Sequence, residues 1–257
     1  MNGKRIQVGL ALGGGVARGW AHLGVLSVLE KSEITINYVA GSSSGSLVGA
    51  FFCSGMCVTE IVTLAASLRW WHLIRPVWPT RGLFSFEGLE RLIIRQLGEV
   101  SFVSLKIPFA AMTTDIATGK SIPITSGQLA PAVRASCSVP GVFTPVLIGE
   151  QYLADGSISE TIPVDILRQM GAEYVIAVDI FAPSMRPRWG ALGMGFNAME
   201  ILIQNAGGGI NKADCLISPE LSGSTYLQLS KREQLFKLGE RAAEQKLPEI
   251  LEALSQG

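Results

Sequence analysis

A serine set between glycines at fixed spacing is the first chemistry this chain offers. Gly41-Ser42-Ser43-Ser44-Gly45 follows G-x-S-x-G, with the apolar run Ile36 to Ala40 before it and Leu47, Val48, Ala50, Phe51 and Phe52 at helical spacing after it. The order is strand, sharp turn, helix. Side chains at the flanking positions would obstruct such a turn, and glycine at Gly41 and Gly45 removes the obstruction. Ser43 would then stand at a helix N-terminus, where unpaired N–H groups and the helix dipole favour developing negative charge. A nucleophilic hydroxyl needs that setting.

It also needs a base, and histidine is scarce. His22 and His72 are the two in the chain, and none follows residue 72. An α/β-hydrolase triad runs serine, acid, histidine in chain order, so no such triad is possible here. The base for Ser43 is therefore His22, His72 or a carboxylate acting without imidazole. For His22, on the first turns of a helix expected from Ala21 to Glu30, a structural role, hydrogen-bonding the glycine loop or packing on the helix, is the favoured reading. Asp115, after the strand-like Pro108 to Thr114, is a candidate base, but an aspartate before Ala117-Thr118-Gly119-Lys120 more often caps that turn. Asp155 ends the apolar stretch Gln151 to Ala154 and has Gly156 behind it, which suits either a side chain presented at a strand end or a plain turn.

Gly13-Gly14-Gly15-Val16-Ala17-Arg18-Gly19 follows a first strand, Ile6 to Leu12. A glycine turn between strand and helix aims several N–H groups at one point, which suits a phosphate or an oxyanion. The dinucleotide pattern wants glycine at position 18, where arginine stands, and the Walker G-K-[ST] is absent. A nucleotide-binding α/β protein nevertheless remains an alternative.

The elements that must position these groups alternate between strand and helix over much of the chain. Phe86 to Leu97 and Leu129 to Ser138 read as helices, and Val142 to Ile148 with Gln151 to Ala154 reads as a hairpin about Gly149-Glu150. Pro163 to Met170 is expected as a helix and Tyr174 to Ile180 as a strand buried on both faces, with Asp179 at its polar end. From Trp189 onward the pattern is mostly helical, broken at Gly207-Gly208-Gly209 and at Cys215 to Ser218, and it closes with an amphipathic helix from Lys231 to Leu254.

At 257 residues, 48% of them hydrophobic, the chain can bury a sizeable core. Ile34 to Thr59 is a run of 26 uncharged residues, but its four glycines and five serines and the serine turn divide it into pieces too short to span a bilayer. Lys plus Arg number 21 and Asp plus Glu 21, so a formal charge of +0 gives no electrostatic case for nucleic acid. Scattered cysteines, none in C-x-x-C spacing, argue against both a disulfide framework and a zinc site, and point to a reducing cytoplasm. Between Glu60 and Glu87 the character changes. Trp70, Trp71 and Trp78 are three of the five tryptophans, and the charges there are Arg69, Arg75 and Arg81. Tryptophan with arginine suits the water–lipid boundary. A helix-loop segment capping the core is the alternative.

Taken in order, Gly13-Gly14-Gly15 with Arg18-Gly19 and Ala21-His22, the elbow at Ser43, Ala135-Ser136 with Pro140 and Phe143-Thr144-Pro145-Val146, and Asp155-Gly156 resemble the bacterial patatin-like phospholipases over nearly the whole chain. The resemblance implies one domain, residues 1–257, in a three-layer α/β/α fold with a mostly parallel central sheet. Its core would run from about 6 to 182, with a helical extension from about 189 to 254 packed on it. It further implies a serine–aspartate dyad without histidine: Ser43 as nucleophile, Asp155 as general base, and N–H groups from Gly13, Gly14, Gly15 and Val16 as the oxyanion hole. No metal or cofactor is called for. The expected substrate is a fatty acyl ester, with a cytoplasmic protein meeting the inner membrane face peripherally through Trp70, Trp71 and Trp78. Ser42 and Ser44 stand where family members often have threonine and alanine, and Ser157 where glycine or alanine is more usual. A catalytically weak, lipid-sensing protein on the same fold is the alternative within the family.

Overall fold

A computed structural model of the chain describes residues 5–181, 190–221 and 231–255. In chain order the elements are β1 (Val8–Leu12), α1 (Gly19–Lys31), β2 (Tyr38–Ser42), α2 (Ser44–Cys53), α3 (Val58–Ser67), β3 (Arg75–Pro76), β4 (Gly82–Ser85) and α4 (Glu87–Leu97). There follow β5 (Phe109–Asp115), β6 (Ser121–Ile124), α5 (Leu129–Ser136), β7 (Gly141–Phe143), β8 (Val146–Ile148) and β9 (Gln151–Asp155). The chain ends with α6 (Val164–Met170), β10 (Tyr174–Val178), α7 (Ala191–Gln204), β11 (Cys215–Ile217) and α8 (Arg232–Ser255).

Eight strands form the main sheet in the order β11-β10-β1-β2-β5-β9-β8, with β6 also on β5. The five strands from β11 to β5 are mutually parallel, while β6, β8 and β9 add antiparallel pairs at one side. Burial on both faces explains why the central strands are apolar runs rather than alternating ones. Val8, Leu10, Leu12, Ile176 and Val178 point into the larger core with α1 and α8 residues such as Leu23, Leu26, Leu235 and Ile250. On the opposite face Ala177, Ala11, Ala40 and Ala110 stand side by side in register across four strands. This row of small side chains meets Val164 and Leu167 of α6. The expected three layers are therefore present, and period-two alternation sorts each strand's residues between the two cores.

One expected strand is two. Val142 to Ile148 breaks into β7 and β8, which belong to different sheets: β7 joins β3 and β4 in a three-stranded sheet, and β8 pairs with β9. The break falls at Thr144-Pro145. Thr144 N–H donates to the Phe84 carbonyl at 2.9 Å, binding it to the small sheet, and Pro145 has no N–H to continue a ladder. Phe86 and Phe143 stack here with centroids 4.4 Å apart. The tryptophan segment is likewise more structured than a helix-loop cap. It leaves α3, makes a short turn at Trp70–Leu73, and forms the β3–β4 hairpin. Trp189, where the helical tail was expected to begin, lies outside the described residues.

Candidate active site

Register brings the two expected catalytic residues to one level of the sheet. Ser42, the last residue of β2, pairs with Met112 of β5, and Thr113, one step further along β5, pairs with Asp155. One step in a strand is about 3.3 Å. β9 runs antiparallel to β5 and ends at Asp155, so the chain must turn across β5 toward β2. Gly156 makes this turn flush with the sheet, since a Cβ there would overlap the Met112 carbonyl. The backbone of Asp155 is held on both sides: its N–H donates to the Ser138 carbonyl at 2.9 Å, and its own carbonyl accepts from the Thr114 hydroxyl at 2.8 Å.

Ser43 sits at the elbow between β2 and α2 with φ 51° and ψ −121°, a conformation that L-residues rarely adopt. The strain persists because the surroundings over-determine it. Ser43 N–H donates to the Ser136 hydroxyl at 3.1 Å, its carbonyl accepts from the Cys137 thiol at 3.2 Å, and the same carbonyl accepts the Leu47 N–H of the next helical turn. Burial, and then the neighbouring Asp155 charge, push the Cys137 thiol well above its ordinary pKa, so it remains an S–H donor. Close approach at Gly45 is equally tight, because a Cβ there would overlap the Leu12 carbonyl at the end of β1. Ser136 was legible as a motif residue, whereas Cys137 carried no sequence signal.

The Ser43 hydroxyl lies beside the Asp155 carboxylate and favours its charged form, and the Ser157 N–H donates to Oδ1 at 2.9 Å. Asp155 is almost fully buried. Burial raises its pKa to about 6, and the hydrogen bonds from Ser43 and Ser157 oppose that rise. The carboxylate is thus a stronger base than a solvated one and still largely ionised near neutrality. Asp115 is placed otherwise. It caps its turn through the Ala117 N–H at 3.0 Å and the Thr118 hydroxyl at 2.9 Å, which hold its pKa below the ordinary value.

Beside Ser43 and Asp155 runs the glycine loop. A Cβ on Gly14 would lie 3.3 Å from the Ser43 Cβ and would overlap the Ser157 hydroxyl. Gly13 is not available as a donor: its N–H extends the β1–β10 ladder to the Val178 carbonyl at 3.0 Å. Among the described residues no acceptor faces the N–H groups of Gly14, Gly15 and Val16. Val16, a β-branched residue at φ 51°, shares the strained region with Ser43. Only the tertiary pairing of β1 with β10 separates Gly13 from the other three. His22 takes the structural role expected of it, its Nε2 lying 2.7 Å from the Gly13 carbonyl. Burial lowers its pKa to about 4, so the ring is neutral at pH 7 and donates this bond. His72 lies on the exposed turn after α3.

An apolar cleft starts at the same loop. Val16, Ser44, Leu47, Trp20, Phe51 and Leu64 line it, together with Leu68 and Trp70. Sequence spacing could not have assembled these residues, because they come from α1, α2 and α3 together. Among the described residues no group of three or more His, Cys, Asp or Glu side chains could hold a metal ion. Nor is any described helix long and apolar enough to cross a membrane.

Fold and site together define a patatin-type α/β protein. Residues 10–168 match the patatin-like phospholipase family, and the chain belongs to it. It is 33% identical over 182 residues to the neuropathy target esterase sws of Drosophila melanogaster, covering 68% of this chain and 13% of that protein. To an NTE family protein of Mycobacterium tuberculosis it is 35% identical over 177 residues, covering 68% of this chain and 49% of the relative. The chain thus spans half or less of the length of these relatives. Among solved structures, VipD from Legionella pneumophila superposes with a TM-score of 0.66 at 13% identity, covering 96% of this chain and 67% of VipD. The type III effector protein ExoU gives 0.51 at 12% identity, covering 96% of this chain and 53% of its own. At such identities the likeness is one of fold.

Proposed function

We propose that this chain is a serine acyl hydrolase acting on fatty acyl esters of lipids through a Ser43–Asp155 dyad. The observation that carries the reading is the Ser43 hydroxyl beside a buried carboxylate at a strained elbow, with the unpaired N–H groups of Gly14, Gly15 and Val16 alongside. Asp155 takes the Ser43 proton as Oγ attacks the ester carbonyl carbon, and the carbonyl electrons move onto oxygen, toward the loop N–H groups. The intermediate collapses when the C–O bond to the leaving alcohol breaks and Asp155 returns the proton to that alcohol. Water then attacks the acyl-enzyme, with its proton passing to Asp155 and back to Ser43 as the acid departs. The loop donors supply the largest electrostatic share, since one such donor is typically worth about 100- to 1000-fold in rate.

The apolar cleft beginning at Val16 and Ser44 suits the acyl chain. A nucleotide phosphate brought to the same N–H groups would lie against the Asp155 carboxylate, which disfavours the nucleotide reading. The test is turnover of a medium-chain p-nitrophenyl ester together with covalent labelling by a fluorophosphonate. The intact chain should turn over and label at Ser43, and Ser43→Ala should do neither. A folded chain that neither labels nor turns over would favour the lipid-sensing alternative.

A further inference from the structure

The segment between α3 and α4 presents aromatic surface that the core does not use. Trp70 faces the cleft, but Trp71 is 64% exposed on the turn that follows, Trp78 is 84% exposed at the tip of the β3–β4 hairpin, and Leu83 on β4 is also exposed. Exposed tryptophan at this level calls for a partner. The charge of the segment narrows the choice. From residue 61 to residue 86 there are three arginines and no acidic residue, on a chain whose net charge is +0. Arg69 is exposed, and its guanidinium has no hydrogen-bond or ion-pair partner among the described residues. Arg75 shares Glu87 with Arg91, at 3.1 Å and 3.6 Å, and keeps most of its side chain in water.

The hairpin is anchored rather than loose. Arg81 donates to the Tyr152 hydroxyl at 2.7 Å and lies 4.4 Å over that ring, and Tyr152 is on β9, three residues before Asp155. β4 also pairs with β7. The exposed rings are therefore carried by elements tied to the strand that ends in the base, and the cleft lining ends one residue short of Trp71.

We infer that Trp71 and Trp78, with Arg69, Arg75 and Leu83, dock the chain on an anionic lipid surface and set the part of the cleft lined by Leu68 and Trp70 near it. This deepens the acyl-hydrolase reading and rests on it for the purpose of the contact. Indole rings settle at the headgroup boundary while guanidinium groups meet anionic headgroups, and each such cation raises partitioning by roughly fivefold. A second copy of this chain would bring three further arginines to the same patch, which favours the lipid.

The test uses the Ser43→Ala chain, so that no lipid is consumed, in co-sedimentation with vesicles of phosphatidylcholine alone and of phosphatidylcholine mixed with phosphatidylglycerol. The expected result is clear preference for the mixed vesicles, weakened by salt, reduced about fivefold by Arg69→Gln and abolished by Trp71→Ala with Trp78→Ala. Equal binding to both vesicle types, or undiminished binding of the double tryptophan variant, would overturn the inference. So would a change in the protein's own oligomeric size on removing the two rings, which would mark a protein-protein contact. In a background retaining Ser43, the double variant should turn over the water-soluble p-nitrophenyl butyrate at the parental rate. Absence of turnover in the parent would overturn the hydrolase reading instead, and the vesicle measurements would still decide docking.

Discussion

The elbow region and the tryptophan segment differ in composition, with three glycines and four serines in residues 38–53 against one of each in residues 69–86, and they are held in opposite ways. Around Ser43 the turn is held by partners and steric walls: Ser136, Cys137, the Leu12 carbonyl, the β5 ladder. The surplus packing allows a strained conformation and a buried carboxylate to persist. At Trp71 and Trp78 two of the largest side chains in the protein stand in solvent, on a short turn and on the hairpin that follows it. One region stores unfavourable free energy inside a rigid frame, and the other exposes apolar surface outside it. The site proposed for chemistry and the site proposed for contact therefore differ in what their surroundings must supply.

The comparison breaks most readily at the dyad. Ser43→Ala and Asp155→Asn should each lower kcat/KM for a p-nitrophenyl ester by about 10,000-fold or more while the fold survives. Retained turnover in either variant would remove that residue from the mechanism. Next comes Gly45→Ala, whose new methyl must displace the Leu12 carbonyl; a loss of about 4 kcal/mol in denaturant unfolding is expected. A loss under 1 kcal/mol would mean that the frame yields more than its packing implies.

A smaller effect lies in pH. Asp155 has a folded pKa of about 6 against 3.8 unfolded, so its contribution is fully present below pH 4 and is lost as pH rises through 6, up to about 3 kcal/mol. Asp155→Asn should accordingly be more stable than the parent at pH 8, by about 1 to 3 kcal/mol, with the difference vanishing toward pH 4. His22 acts in the opposite sense. Its folded pKa of about 4 lies below the ordinary 6.5, so its contribution is present above pH 6.5 and is lost as pH falls through 4. The two offset each other between pH 4 and 6.5, and the Asn variant should reveal the steeper acid loss that the parent hides. Activity should fall below a pH of about 6 as Asp155 takes up its proton. A rate that is flat from pH 5 to 8 would exclude Asp155 as the base. The smallest effect belongs to the hairpin: Trp78→Ala should change stability by less than about 0.5 kcal/mol.

Much of the site was legible because its parts are local. G-x-S-x-G between an apolar strand and an apolar helix needs no long-range information to place a serine at an elbow, and the absence of histidine after residue 72 excludes the usual triad by counting alone. Where a decision depended on a partner across the sheet, local pattern failed. Gly13 looked equivalent to Gly14 and Gly15 until β10 claimed its N–H. Val142 to Ile148 looked continuous until Phe84 drew Thr144 into a second sheet. The cleft from α1, α2 and α3 left no trace in spacing.

Sequence by itself determined which residues have the chemistry: a hydroxyl at a glycine-flanked turn, an aspartate before glycine, a glycine loop after the first strand, and a tryptophan-rich stretch without acids. Tertiary structure decided which of them meet and in what electrostatic state. Asp155 reaches Ser43 because an antiparallel strand ends one register step from the end of β2, 112 residues away in the chain, and its pKa rises because the same packing removes it from water. Register and burial are properties of pairs of segments, and no single segment encodes them.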